Sequence, residues 1–334
     1  MRRLQHLTNQ LWSPSDMCGI FGIHGHPHAA EISHLGLYSL QHRGQESAGI
    51  VAAGGEIGAR AAKTMGLVTE GLNGINASSL EGDIAIGHTR YSTAGSSTIE
   101  NAQPMLARFR DGHIALAHNG NLINATELRR ELEDAGSIFT STMDSEVLVH
   151  RIARSPAGKP EDKLADALQD VEGAYSLVVL IGDTLLAVRD PRGWRPLVMG
   201  MLDGSYVFAS ESCALDIVGA SAIREVGRGE IVAVDRTGMR SSSPLPAQAG
   251  RQCVFEYVYF ARPDSRVFGG SVDRARRALG RRLAREHPAE GADFVFSVPD
   301  SSNSAALGFA EESKLPFELA LIRNHYVGRT FIQP

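Results

Sequence analysis

Met17-Cys18-Gly19-Ile20-Phe21-Gly22 decides the fold, because its chemistry depends on whether Cys18 becomes the first residue of a mature chain. If it does, one residue carries both a thiol and a free α-amine. Their ordinary pKa values are about 8.5 and about 7.7–8.0, so near neutrality the amine can take the thiol proton and leave a nucleophilic thiolate. An internal cysteine has no such base, and Cys18 would then be a small apolar residue opening a strand. The preceding MRRLQHLTNQLWSPSD carries two arginines but lacks the apolar stretch and small-residue cleavage site of a secretory signal. Residues 1–17 read either as a propeptide removed to expose Cys18 or as an appendage upstream of a true start at Met17. Both readings give the same mature end.

Downstream of Cys18, short apolar runs alternate with turn signals. Strands are expected at 20–25, 49–53, 83–88 and 113–118, with a helix over 30–43 that Gly44 is placed to end. Asn124 followed by Glu127 has the spacing of a capping box, and a further helix should begin near Asp144 and another at Glu161. Gly182-Asp183 and Asp203-Gly204 are two-residue hairpin turns between apolar runs. An antiparallel meander packed with helices makes residues 18–239 an α+β layered domain. The aperiodic RSSSPLPAQAG at 240–250 reads as a linker. Beyond it, strands at 254–260, 293–298 and 317–322 alternate with helices at 272–286 and 303–313, the pattern of a parallel α/β sheet over 251–334.

Composition narrows the classes. The chain has 334 residues, 43% of them hydrophobic and 21% charged, enough for a sizeable core. A formal net charge of −5 provides no field to attract nucleic acid or an anionic membrane, and no apolar run reaches the roughly 18 residues that span a bilayer. The three cysteines, Cys18, Cys213 and Cys253, are far apart and lack CxxC spacing, which indicates neither a disulfide framework nor a zinc site. A cytoplasmic location is expected. The arginine-rich helix at 272–286 is interspersed with Asp273 and Glu286 and reads as a solvated surface rather than a phosphate patch.

Several polar clusters sit at strand ends. His118-Asn119-Gly120-Asn121 is either a simple Asn-Gly turn or a side-chain amide and backbone N–H aimed at a developing oxyanion. His88-Thr89-Arg90-Tyr91-Ser92-Thr93 offers an arginine fork with hydroxyls, suited to a carboxylate or to a surface ion pair. Asp144 could cap a helix or receive a substrate ammonium, and Arg43 could be a helix-end cation. His24, His26 and His28 read as surface residues.

Taken together, Cys18-Gly19-Ile20-Phe21-Gly22, QHRGQESAGI from Gln41, GHTRYST from Gly87, HNGNL from His118, DSE from Asp144, GAYS from Gly173 and RDPRGWRPL from Arg189 resemble the glutaminase domain of class II glutamine amidotransferases. The resemblance implies an N-terminal nucleophile hydrolase, a four-layer αββα sandwich. VFEYVYFARPDS from Val254, VPDSS from Val298 and RNHYVGRTFIQP from Arg323 resemble the amidophosphoribosyltransferases and argue against the sugar-isomerase half of a glucosamine-6-phosphate synthase. The second domain is then expected to be an incomplete α/β type I phosphoribosyltransferase domain, since the paired aspartates and phosphate-cradling loop of that family do not occur here.

The resemblance assigns roles residue by residue. Cys18 attacks the amide of glutamine; Asn119 and the Gly120 N–H stabilise the oxyanion. Arg90, helped by Thr93, binds the α-carboxylate, Asp144 binds the α-ammonium, and Arg43 holds the backbone around Cys18. The ammonia passes to phosphoribosyl pyrophosphate, giving 5-phosphoribosylamine. Ser301 matches a position near Mg²⁺ in relatives, without its aspartate partners, and Cys253 matches an iron–sulfur ligand of some relatives, without the others. A homo-oligomer is expected, with no nucleic-acid or membrane partner. The alternatives are a stand-alone glutaminase or a non-catalytic remnant.

Overall fold

The computed structural model describes residues 18–54, 58–72, 80–91 and 96–324. They form two compact units that divide between Gln252 and Cys253.

In the first unit, β1 (Gly19–His24), β2 (Ser47–Ala53), β3 (Ala59–Met65), β4 (Ile84–Arg90), β9 (Val198–Leu202), β10 (Ser205–Ala209) and β11 (Ser221–Glu225) build one antiparallel sheet. Its order is β11-β9-β10-β1-β4-β2-β3. A second sheet, in the order β13-β12-β8-β7-β6-β5, contains β5 (Met105–Phe109), β6 (Gly112–Leu122), β7 (Gly173–Ile181), β8 (Thr184–Arg189), β12 (Ile231–Asp235) and β13 (Gly238–Ser242). The longer helices of this unit are α1 (Ala29–Ser39), α2 (Ala125–Asp134), α3 (Glu146–Arg154), α4 (Pro160–Ala167) and α5 (Ser212–Val218).

The two-residue period of a strand sorts side chains into three apolar layers. Ile20, Val51, Ile84 and Ile86 of the first sheet meet Ala115, Ala117, Val178, Leu180 and Leu185 of the second. On the outer face of the first sheet, Phe21 and Ile23 pack with Leu37 of α1, Leu40 just after it and Leu215 of α5. On the outer face of the second, Leu116, Leu177, Val179 and Val188 pack with Leu128, Leu148, Ile152 and Leu164 of α2, α3 and α4. Because both faces of both sheets are covered, strands such as β1, β4 and β8 are buried along their whole length. This is the four-layer αββα sandwich expected from the sequence.

Several local expectations are corrected. Helix α1 ends at Ser39, and a short 3-10 turn over Gln41–Arg43 precedes Gly44, which lies in extended backbone. Asn124 precedes α2 without a capping box. Its side chain instead donates to the Asp170 carbonyl at 2.7 Å and accepts from the Glu172 N–H at 3.0 Å, tying α2 to the start of β7. Helix α3 begins at Glu146 after Ser145, so Asp144 stands outside it. His24, read as a surface residue, is buried with Nε2 3.2 Å from the Asp183 carbonyl. The segment read as a linker starts within β13, buries Leu245 in the outer core, and donates from the Gln248 N–H to the Pro191 carbonyl, with the Arg251 N–H just beyond it donating to that of Arg192. Its Ser/Pro/Gly composition marks a lack of periodicity, not a lack of contacts.

The second unit contains a hairpin of β14 (Arg266–Val267) and β15 (Gly270–Ser271), then α6 (Val272–Glu286) and α7 (Asn303–Ser313). Residues 254–260 form a π-helical turn over Glu256–Phe260 rather than a strand. Apolar runs of that length do not distinguish the two by periodicity, and buried Arg276 fixes the turn by donating to the Tyr257 and Ala261 carbonyls at 2.6 and 2.8 Å. The strands expected at 293–298 and 317–322 are reduced to one parallel bridge between Val295 and Phe317. Phe294, Phe296, Val298, Leu319 and Ile322 are exposed around it.

Candidate active site

Cys18 lies just before β1 and is 8% exposed. By strand alternation it faces the same way as Ile20, into the layer between the sheets; its Sγ is 3.8 Å from the Tyr91 carbonyl. Asn119, on β6, faces the same layer as Ala115 and Ala117 from the opposite sheet. Ile20 is paired with His88 of β4, and the His88 Nε2–H donates across the layer to the His118 carbonyl at 3.0 Å. This bond ties the end of the β1–β4 ladder to the residue before Asn119, bringing the ends that carry Cys18 and Asn119 together.

Asn119 is fully buried, and among the described residues neither Oδ1 nor Nδ2 has a hydrogen-bond partner. Such groups are rare in folded proteins and mark strain, a ligand or a catalytic role. The neighbouring Gly120 has φ +150°, and a Cβ there would lie 2.0 Å from the Ala174 carbonyl oxygen, so no other residue fits. His88 is fully buried, and that burial holds its pKa down to about 3; the bond to the His118 carbonyl opposes the shift and the Arg90 charge adds to it. It is therefore a neutral donor.

Arg90, at the end of β4 and buried, donates from Nη1 to Glu46 Oε1 at 2.7 Å and to the Ser96 carbonyl at 3.2 Å. The same carbonyl accepts from Asn101 Nδ2 at 2.7 Å, and Asn101 is bonded through both ends of its amide to Thr142. Thr142 is two residues before Asp144, so the network from Arg90 ends on the same loop that carries Asp144. The Asp144 carboxylate accepts from the Leu122 N–H at 2.8 Å and the Ser145 N–H at 2.7 Å. Burial would raise its pKa, but the nearby His118 and these two N–H groups outweigh it and hold the carboxyl below its ordinary value. It is ionised at neutral pH and has acceptor capacity left for an ammonium group.

Arg43 is fully buried, and its Nε–H donates to the Cys18 carbonyl at 3.2 Å. Its Nη1 pairs with Glu211, which also accepts from His42 Nε2 at 2.7 Å. Cys18, Arg43, Arg90, Asn119, Gly120 and Asp144 thus belong to one end of the sandwich, whereas Ser301 lies in the second unit. Beside Ser301, Asp300 is paired with Arg323 at 2.8 Å. Thr93 and the stretch 325–334 lie outside the described residues. Among the described residues no group of three or more His, Cys, Asp or Glu could hold a metal ion, so neither Ser301 nor Cys253 is joined there by a set of co-ligands. Glu46, His88, Asn101, Ser210 and Glu211 were given no role by sequence reading. Glu211, a charge wedged between the apolar β10 and α5, carried the one signal that could have been noticed.

The family model for the glutamine amidotransferase domain matches residues 88–216. Amidophosphoribosyltransferase of Bacillus subtilis is 49% identical over 321 residues, which cover 96% of this chain and 67% of that one. Chloroplastic amidophosphoribosyltransferase 1 of Arabidopsis thaliana is also 49% identical, over 96% of this chain and 57% of its own length. The amidophosphoribosyltransferase of Rhizobium etli is 49% identical and covered to 65%, so the chain spans roughly three-fifths to two-thirds of these relatives. A solved structure described as the B. subtilis glutamine phosphoribosylpyrophosphate amidotransferase complexed with ADP and GMP superposes with a TM-score of 0.88. Its identity is 48%, over 95% of this chain and 69% of that one.

Proposed function

The chain belongs to the amidophosphoribosyltransferase family, and on that premise we propose that its first unit hydrolyses glutamine at Cys18 and that the ammonia is destined for phosphoribosyl pyrophosphate, the first committed step of purine synthesis. Removal of residues 1–17 leaves Cys18 with its α-amine. The amine takes the thiol proton, Sγ attacks the side-chain amide carbon, and the proton passes to the departing ammonia. Water, activated by the same amine, then cleaves the thioester to glutamate and regenerates the thiol.

The observation that carries this reading is the buried, unpartnered amide of Asn119 on the strand facing Cys18. In the tetrahedral intermediate its Nδ2–H and the Gly120 N–H receive the oxyanion. Arg90, its guanidinium oriented by Glu46, takes the α-carboxylate, and Asp144 takes the α-ammonium. Thr93 would assist Arg90. The ammonia would displace pyrophosphate from the ribose C1, giving 5-phosphoribosylamine. That half of the reading rests on the relatives, and the described residues supply no metal-ligand set through which to route it. Glutamate release and pyrophosphate release, assayed separately on a chain whose amino terminus has been read, test the two halves. Glutamate production that Cys18→Ser abolishes supports the first. A Cys18→Ser protein as active as its parent would overturn it.

A further inference from the structure

We propose that Ser210 and Glu211, which follow β10, are positioning residues that clamp the start of the mature chain so that Cys18 meets its substrate in one orientation. This rests on the glutaminase reading above. A first residue is hard to hold, since chain termini fray unless tied down. Once Cys18 is terminal, its amine is the catalytic base and cannot serve as an anchor. The pairing of β1 with β4 starts at Gly19, opposite Thr89, so Cys18 lies beyond the ladder, and its carbonyl is the main-chain group left to fix it.

The structure supplies two attachments from one turn. Ser210 holds both sides of Ile20: its Oγ accepts from the Ile20 N–H at 3.0 Å, and its own N–H donates to the Ile20 carbonyl at 3.0 Å. Glu211 acts one step further out. Its carboxylate pairs with Nη1 of Arg43, and the Nε–H of the same guanidinium donates to the Cys18 carbonyl at 3.2 Å. Arg43 and Glu211 are both fully buried. A buried ion pair is a poor way to add stability, because apolar residues of similar volume usually do as well or better. What a carboxylate adds is orientation, since a planar fork held on one edge points its other N–H in a fixed direction. His42, donating to the same carboxylate oxygen at 2.7 Å, holds Glu211 in turn.

The test is Glu211→Gln in the full chain, with the amino terminus read by intact mass and kcat expressed per reactive Cys18 thiol. The clamp predicts that kcat for glutamate release falls about tenfold to a hundredfold, the scale of a small misplacement of a reacting group, with KM for glutamine changed less than about twofold. Ser210→Ala, which leaves the ion pair intact, should lower kcat in the same way and decides the matter if Glu211→Gln does not fold. Unchanged kcat per reactive thiol in the folded variants would overturn the clamp. If the parent itself releases no glutamate, the glutaminase reading fails separately, and hydrogen exchange at Gly19 and Ile20 judges the clamp. Faster exchange in Glu211→Gln supports it; equal exchange overturns it.

Discussion

A buried side-chain amide without partners costs roughly 1–3 kcal/mol, and Asn119 carries that cost inside β6, near its end and not in a turn. If the cost is retained for catalysis, Asn119→Leu, which keeps the number and branching of the side-chain heavy atoms, should leave the denaturation midpoint unchanged or higher while glutamate release falls about 10²-fold to 10³-fold. A structural asparagine would give the reverse, lost stability with activity per folded molecule intact. His88 makes a second prediction. Its folded pKa of about 3 lies below the unfolded value of about 6.5, so between those values the unfolded chain binds a proton that the folded chain refuses. Its contribution is complete above the unfolded value and is lost as pH falls, by up to roughly 1.4 kcal/mol per pH unit. His113 and His150 are also held low by burial and act in the same sense. Urea midpoints from pH 7 to pH 5 should therefore fall in the parent and fall less steeply in His88→Gln; equal slopes would count against the assignment.

At the scale of elements, α6 and α7 pack backbone to backbone. A Cβ on Gly280 would lie 1.9 Å from the Ala305 carbonyl oxygen, and one on Gly308 2.1 Å from that of Arg277. Across the same contact Arg277 and Arg281 pair with Glu311, and Arg285 with Glu312. Gly308→Ala should destabilise this pair by about 1–3 kcal/mol through overpacking, seen as faster hydrogen exchange in both helices; unchanged exchange would mean that the helices separate freely. Both helices have the bounds expected from the sequence, and α6 opens on a local cap, the Ser271 hydroxyl accepting from the Arg274 N–H. The hairpin turns at Gly182-Asp183 and Asp203-Gly204 were equally plain. The apolar run at 254–260 was not, because what bends it is Arg276, a residue distant in sequence. The candidate site residues stand out in the sequence as polar clusters, but Glu46, Asn101 and Glu211 hold other side chains, a relation that exists only after two sheets and several loops have met. Asp144 shows its charge in the sequence but not its bond to the Leu122 N–H at the end of β6.

For the molecule as a whole, the sandwich explains why so many polar groups can be buried together. Two sheets covered on both faces exclude water from the layer into which Cys18 and Asn119 both face, and electrostatic stabilisation of an oxyanion is worth more there than in water. No helix among the described residues is long and apolar enough to cross a membrane. The most direct test of the whole account is intact-mass and peptide mapping of the protein after exposure to an electrophilic glutamine analogue bearing a diazoketone. The account predicts a single adduct, on Cys18, in a chain that begins at Cys18, with labelling suppressed by glutamine. An adduct on another residue, or full labelling of Cys18 in a chain that still carries residues 1–17, would contradict it.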